Sequence, residues 1–207
     1  MALTNREHST YVKFKAGEVH WGRGSESGVA DAIEGVITRI KYEDHEFEYQ
    51  TRQIKKHNII ISIQDGSEKY TLTESADSRA GLQLQNKLLN TQVGDRISIS
   101  PTKENGVDKD GKPIVMTSGV FVNIGRNSVP QKYNKANPGN LPPWKKFVVN
   151  GKDIWDKTDQ LNFLEQELTA HFQHAAAVEV ASSTGEFHES EIPQWEESPE
   201  PSGDAPF

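Results

Sequence analysis

The chain has 207 residues, no Cys, 34 % apolar residues and a formal charge of −7, with 23 Lys and Arg against 30 Asp and Glu. Without Cys, disulfides and Cys-ligated zinc or iron sites are excluded, which fits a reducing cytoplasm. So low an apolar fraction points to one buried domain with unfolded appendages, and no stretch approaches the ~20 apolar residues of a membrane span.

The charge is unevenly placed. Every basic residue lies at or before Lys157, so residues 1–157 carry 19 acids against 23 Lys and Arg, about +4, and the remainder about −11. A mildly basic body with an acidic end is the pattern of a nucleic-acid binder with a partner-recruiting tail. The N-terminal residues lack the apolar run of a signal peptide, so the expectation is a soluble, cytoplasmic protein.

Residues 1–28 read as an N-terminal extension with a short strand, Tyr11–Lys15, and a Gly/Ser-rich stretch, 22–28. Ala32–Tyr42 is β-rich, with Gly35 inside it as the site of a bulge or sharp coil. Glu46–Gln53 alternates Phe47, Tyr49 and Thr51 with charged or polar residues, as the arm of a long hairpin would. His57–Gln64 is the most β-like segment, and Asp65-Gly66 turns it into Glu68–Glu74. Alternation puts Ile59, Ile61, Ile63, Tyr70 and Leu72 on the core side; Asn58, Ser62, Gln64, Lys69, Thr71 and Thr73 fall on the other. Ser78–Asn90 switches to helical spacing, with Ala80, Leu84, Leu88 and Leu89 behind a Ser78 N-cap. Two more strands follow, Arg96–Ser100 and Pro113–Gly125, around a Lys-bearing loop, 103–112. Residues 126–157 carry Asn, Pro and Lys without a clear period. Thr158–Val180 places Leu161, Leu164, Leu168, Phe172 and Ala175 on one stripe, an amphipathic helix. From about 181 the chain is rich in Ser, Glu and Pro and is expected to be disordered.

Three strands, one helix and two strands over 29–125, with a long Gly-bearing first strand and Val93-Gly94-Asp95-Arg96-Ile97 leading into the fourth, resemble a five-stranded OB-fold barrel. With a final Asp204-Ala205-Pro206-Phe207, the chain resembles the single-stranded DNA-binding proteins of bacteria and their phages. It departs from the bacterial form in its strand lengths and in having a helix where a Gly/Gln/Pro linker is usual, which points to a divergent, phage-encoded member. The family's tetramer does not carry over, and a homo-oligomer is left open. The fold expectation is therefore all-β with minor α: the OB barrel at 29–125, a post-barrel segment at 126–180 with its helix at 158–180, and the acidic tail at 181–207.

Binding single strands without reading sequence needs cations along a groove and rings on which bases stack. The first hairpin offers Lys41, Tyr42, Phe47, Tyr49, Arg52, Lys55 and Lys56, and its neighbours Asn58, Lys69 and Thr71 line the same groove. Lys103, Lys109 and Lys112 form the second wall. Trp21 is an additional platform, and Trp144-Lys145-Lys146-Phe147 interleaves rings with cations, either for DNA or to pin the post-barrel segment to the barrel. Glu43, Asp44, Glu46 and Glu48 lie in the first hairpin and oppose its positive charge. Glu167, His171 and His174 share a helix at spacings that bring metal ligands together, but solvated histidines are the simpler reading, and no metal or cofactor is expected.

In the tail, the resemblance implies that Phe207 and its carboxylate, with Asp204, Ala205 and Pro206, dock on replication or repair enzymes such as a polymerase, helicase, primase or nuclease. Trp195 is a second docking point. No P-loop, Cys nucleophile or Ser/His/Asp grouping is present, so the chain is not read as an enzyme. The competing reading is an OB module for RNA, oligosaccharide or protein.

Overall fold

The computed structural model describes residues 9–183, apart from 24, 25, 50, 51, 93, 109 and 150, and describes only the backbone of 23, 26, 47, 49, 52, 54 and 174–183. Nine strands form one sheet: β1 (Thr10–Lys15), β2 (Glu18–Arg23), β3 (Glu26–Ala30), β4 (Ile33–Tyr49), β5 (Arg52–Asp65), β6 (Glu68–Ser75), β7 (Arg96–Val107), β8 (Pro113–Ile124) and β9 (Asn127–Ser128). The order across it is β3-β2-β1-β6-β5-β4-β7-β8-β9. Helix α1 (Arg79–Leu88) joins β6 to β7. A separate ribbon of β10 (Lys145–Val149) and β11 (Lys152–Asp156) leads into helix α2 (Thr158–Ser183). The all-β class with minor α holds, but a five-stranded closed barrel does not.

The reason lies at one edge. Closing five strands would pair β6 with β8, but β1 occupies that edge of β6 in parallel, Tyr11 opposite Thr71 and Val12 opposite Leu72. The turn after β1 meets β8 instead: the Gly17 N–H donates to Thr117 Oγ1 at 3.0 Å. The sheet rolls until β1 touches β8, without a closing ladder among the described residues.

Gly35 makes the roll feasible. β4 pairs with β7 over Ile33–Val36 and with β5 over Val36–Tyr49, so the strand coils sharply where it changes partner. Gly35 has φ 148°, and a Cβ there would lie 2.6 Å from the Gln64 carbonyl oxygen. A bulge between Ile37 and Arg39 adds to the coiling.

Inside the roll lie Ile59, Ile61, Ile63, Leu72, Ile97, Ile99, Val120 and Val122, each at most 2 % exposed, with Leu84 and Leu88 of α1 beneath them. Tyr70 is half-buried against this cluster, on the core side of β6. Helix α1 begins where Ser78 Oγ accepts from the Gly81 N–H at 2.8 Å. Its polar side chains then serve the unclosed seam. Gln83 Oε1 accepts from the Val120 N–H of β8, and buried Gln85 donates to the carbonyls of Ala76 and Gly81. Asn86 makes a two-way bond with the Tyr133 main chain, and Lys87 Nζ donates to the Val129 carbonyl, so the chain after β9 is laced onto α1.

Helix α2 docks on this body through buried Leu164 and Leu168, with Leu161, Phe163 and Phe172 partly buried beside them. None of the described helices is long and apolar enough to cross a membrane.

Gly81 provides a test of the α1 seat. Alanine is the better helix former by roughly 0.5–1 kcal/mol, but a Cβ at 81 would stand 2.0 Å from the Ser75 carbonyl oxygen. We expect Gly81→Ala to lower unfolding stability by about 1–3 kcal/mol, read as a lower urea midpoint at unchanged slope.

Candidate nucleic-acid interface

Strand alternation sorts the charges of the sheet. The residues opposite one another across β4, β5, β6 and β1 that do not face the core form one outward set. β4 contributes Arg39, Lys41, Glu43 and His45; β5 contributes Lys56, Asn58, Ile60, Ser62 and Gln64, with Ile60 buried; β6 contributes Lys69, Thr71 and Thr73; β1 contributes Tyr11, Lys13 and Lys15. Asp44, Glu46 and Glu48 fall on the other alternation, so three of the four hairpin acids are removed from the cationic side. Phe47, Tyr49 and Arg52 occupy register positions on the cationic alternation, and their side chains lie outside the described residues.

Lys41 is held by an ion pair to Glu43, and Lys55 by one to Asp44 at 2.9 Å. Lys55 thus sits with the acids, away from the groove in which the sequence placed it. These pairs are open to solvent, where ion pairs hold little energy and exchange readily for another anion. Asn58 is buried and Thr71 shares a hydrogen bond with Ser9, so both act as floor and not as projecting contacts.

Two outward features were not read from the sequence. Tyr11, 53 % exposed, and Lys13 stand beside β6 because β1 has joined the sheet. With His20, Trp21, Val29 and Thr73 they line a cleft of about 560 Å³. Trp21 lies over Gly28, whose missing side chain leaves room for the indole: a Cβ there would fall 2.5 Å from the ring. Tyr11 was visible as part of a short strand, but its neighbour across the sheet lies sixty residues away and no local pattern names it.

Tyr42 departs from its expected role as a stacking platform. Its ring stacks on His57 with centroids 5.5 Å apart, and its hydroxyl donates to Gln85 Oε1 at 2.9 Å. Burial, helped by the Glu165 charge, pushes its phenol pKa well up. Tyr42 is the inward neighbour of Lys41, and the ring side that His57 covers is closed to a base.

The second wall expected from the sequence corresponds to the β7–β8 hairpin. Lys103 is exposed at a bulge between Thr102 and Lys103, and its backbone abuts Gly17. Lys112 is exposed at the tip, where Asp108 accepts from its backbone N–H. Lys109 lies outside the described residues. Because β4 and β7 are antiparallel and paired only at their first residues, the two long hairpins leave that ladder at opposite ends.

Trp144, Lys145 and Lys146 stand apart from the sheet, on the β10–β11 ribbon. Trp144 Nε1 donates to Gln160 Oε1, its ring meets Trp155 edge-on at 6.4 Å, and Lys157 Nζ lies 4.8 Å above it. Lys146 pairs with Asp153 and Lys145 with Asp159. The ribbon turns between Val149 and Lys152, and the sequence there holds Asn-Gly, the pair that most strongly signals a two-residue hairpin when flanked by β-formers. That signal, between Val148-Val149 and Ile154-Trp155, was available in the sequence.

Of the helical trio weighed as metal ligands, Glu167 bonds Lys132 and the Tyr133 hydroxyl, and His171 bonds the Thr91 carbonyl. The His174 side chain lies outside the described residues, as do Trp195, Asp204, Ala205, Pro206 and Phe207. Comparison with known protein families, curated proteins and solved structures finds no match for the chain.

One cluster couples the side of the β4–β5 hairpin that carries Asp44 to α2. His57 on β5 has Nδ1 2.7 Å from Asp44 Oδ1 and Nε2 2.9 Å from Glu165 Oε2. Carboxylates only accept, so both contacts are hydrogen bonds only when the ring carries two protons. Burial disfavours that charge, but the bonds and fields of Asp44 and Glu165 outweigh it and hold the His57 pKa above its usual value. A raised folded-state pKa contributes stability that is complete below the ordinary histidine value, about 6.5, and is lost as pH rises through the folded value. We expect urea stability to fall on going from neutral to mildly alkaline pH, and His57→Gln to remove most of that dependence. An equal slope in both proteins would exclude the clasp.

Proposed function

We propose that the chain binds single-stranded DNA without reading its sequence, on the outward side of β1, β6, β5 and β4, and that it recruits replication or repair enzymes through its acidic end. The observation that carries this reading is the one-sidedness of the sheet. Arg39, Lys41, Lys56, Lys69, Lys13 and Lys15 share the outward alternation with Tyr11, and three hairpin acids are turned from it. Cations neutralise phosphates and release counterions, and rings stack on any base, so such a side binds a flexible strand without base readout. Ser62, Thr71 and Thr73 lie between them, with Ile60 and Asn58 buried alongside.

The order β4, β5, β6, α1, β7, β8, with ladders β4–β5, β5–β6, β4–β7 and β7–β8, supports reading this part as an OB-like module opened at its seam and widened by β1–β3. The ending Asp204-Ala205-Pro206-Phe207 supports the recruitment half, through the resemblance to the single-stranded DNA-binding proteins. A place in the bacterial cytoplasm, or in that of an infected host, follows from the same resemblance.

The direct test is tryptophan fluorescence titrated with oligo-dT, oligo-U and duplex DNA at two salt concentrations. Salt-sensitive quenching by oligo-dT with little response to duplex is expected, and no response to oligo-dT would overturn the reading. Within it, Lys13→Glu and Arg39→Glu should each weaken binding and reduce the salt slope by about one. Tyr11→Ala should cost roughly 1–3 kcal/mol of affinity, whereas Tyr42→Ala should lower stability instead. Removal of residues 198–207 should leave or raise DNA affinity while abolishing stimulation of a partner enzyme. Weaker DNA binding by that folded truncation would count against a tail that competes for the cationic side.

A further inference from the structure

The β10–β11 ribbon is a sheet of two strands whose residues from Lys145 to Trp155 described by the structure are all exposed. Two strands alone are marginal in water; three or more with an apolar side are needed for independent stability. The base of the ribbon is fastened by Trp144 to Gln160 and by Asp156, whose carboxylate accepts from the Thr158 N–H and hydroxyl. Beyond the base, Phe147, Val149 and Ile154 share one side by alternation, each 48–49 % exposed. An exposed apolar ribbon with open edges is a template for pairing with another strand.

The geometry of β11 says which strand. Val149 faces Lys152 across the two-residue turn, so the hydrogen-bonded pairs of the ribbon are Val149/Lys152, Phe147/Ile154 and Lys145/Asp156. The N–H and C=O of Asp153 and Trp155 therefore point to the outer edge of β11, where none of the described strands pairs with them. A second β11 running antiparallel can meet these groups in three registers. One centred on Asp153 sets two carboxylates side by side. One centred on Trp155 leaves Asp156 against Ile154 and Lys152 without a counter-charge. The register centred on Ile154 joins Asp153 to Trp155 of the other copy and faces Lys152 with Asp156 twice, in the closer, non-hydrogen-bonded pairs.

We propose that two copies of this chain associate through β11, antiparallel about a two-fold axis at Ile154, to form a four-stranded sheet. The contact is self-complementary, as a two-fold interface must be. One side of the joined sheet gathers Phe147, Val149 and Ile154 from both chains, and the other gathers both copies of Trp144 and Trp155. Five residues from each chain make a contact well below the roughly 1,600 Å² of a standard interface, so the dimer is weak and concentration-dependent.

Sedimentation velocity of the full chain, from low micromolar to several hundred micromolar, tests this without nucleic acid. The expected result is a weight-average mass that climbs from one chain towards two. Asp153→Pro removes an outward N–H that the ribbon itself does not use, and Lys152→Glu sets like charges against Asp156. Both variants should keep the wild-type melting curve and stay monomeric throughout. A wild-type chain that is monomeric at every concentration, or a folded Lys152→Glu protein that associates as the wild type does, would overturn the proposal. Should Asp153→Pro not fold, the Lys152→Glu comparison decides alone.

Discussion

The structure depends on how a rolled but unclosed sheet satisfies the backbone at its seam. Leaving a buried donor or acceptor unmade costs about 1–3 kcal/mol each, so the open stretch of β8 and the chain that follows it need partners other than a neighbouring strand. Helix α1 supplies them with amide side chains. Gln83 takes the Val120 N–H, Gln85 ties the helix to Ala76 and to Tyr42, and Asn86 holds Tyr133 through both its oxygen and its nitrogen. A helix of apolar residues alone would fill the same volume and leave these groups orphaned. The packing of Leu84 and Leu88 gives α1 its affinity for the core, and the amides give it one orientation.

The same strand pleat that builds the core builds the candidate interface. Ile59, Ile61 and Ile63 turn inward, so their neighbours have to turn outward, and the cations of four strands gather on one side without any local cluster of basic residues. A slip of one residue in the β4–β5 register would bring Asp44, Glu46 and Glu48 to that side. The bulge at Ile37/Arg39 and the coil at Gly35 thus set the charge of the surface as well as the curvature of the sheet. His57 ties the opposite side of the β4–β5 hairpin to α2, since its two carboxylate partners come from β4 and from the helix.

Much of the sheet was legible because it is written in short-range periods. The alternation of His57–Gln64, the Ser78 cap and the apolar stripe of 158–180 each depend on neighbours within a few residues, and each element forms close to the expected place. What was not legible depends on distant partners. Nothing near Tyr11 says that it will lie beside Thr71 in parallel, and that pairing is what prevents a five-stranded closure. Tyr42 reads as an exposed ring in a basic hairpin until Gln85, on another element, takes its hydroxyl. The ribbon at Asn150-Gly151 was locally encoded, but the surrounding Pro and Lys residues gave its strands the look of a loop.

Helix α2 also has a length worth setting against ionic screening. Among the described side chains the last one packed on the core is Phe172, and the helical backbone continues to Ser183. At a rise of 1.5 Å per residue, that places Ser183 about 16 Å along the axis from Phe172. The Debye length at physiological ionic strength is about 8 Å. The end of the helix therefore stands about two screening lengths beyond Phe172. The part of α2 beyond Phe172 is thus a spacer whose length is fixed by helix geometry, and salt sets how far along it the field of the docked part reaches.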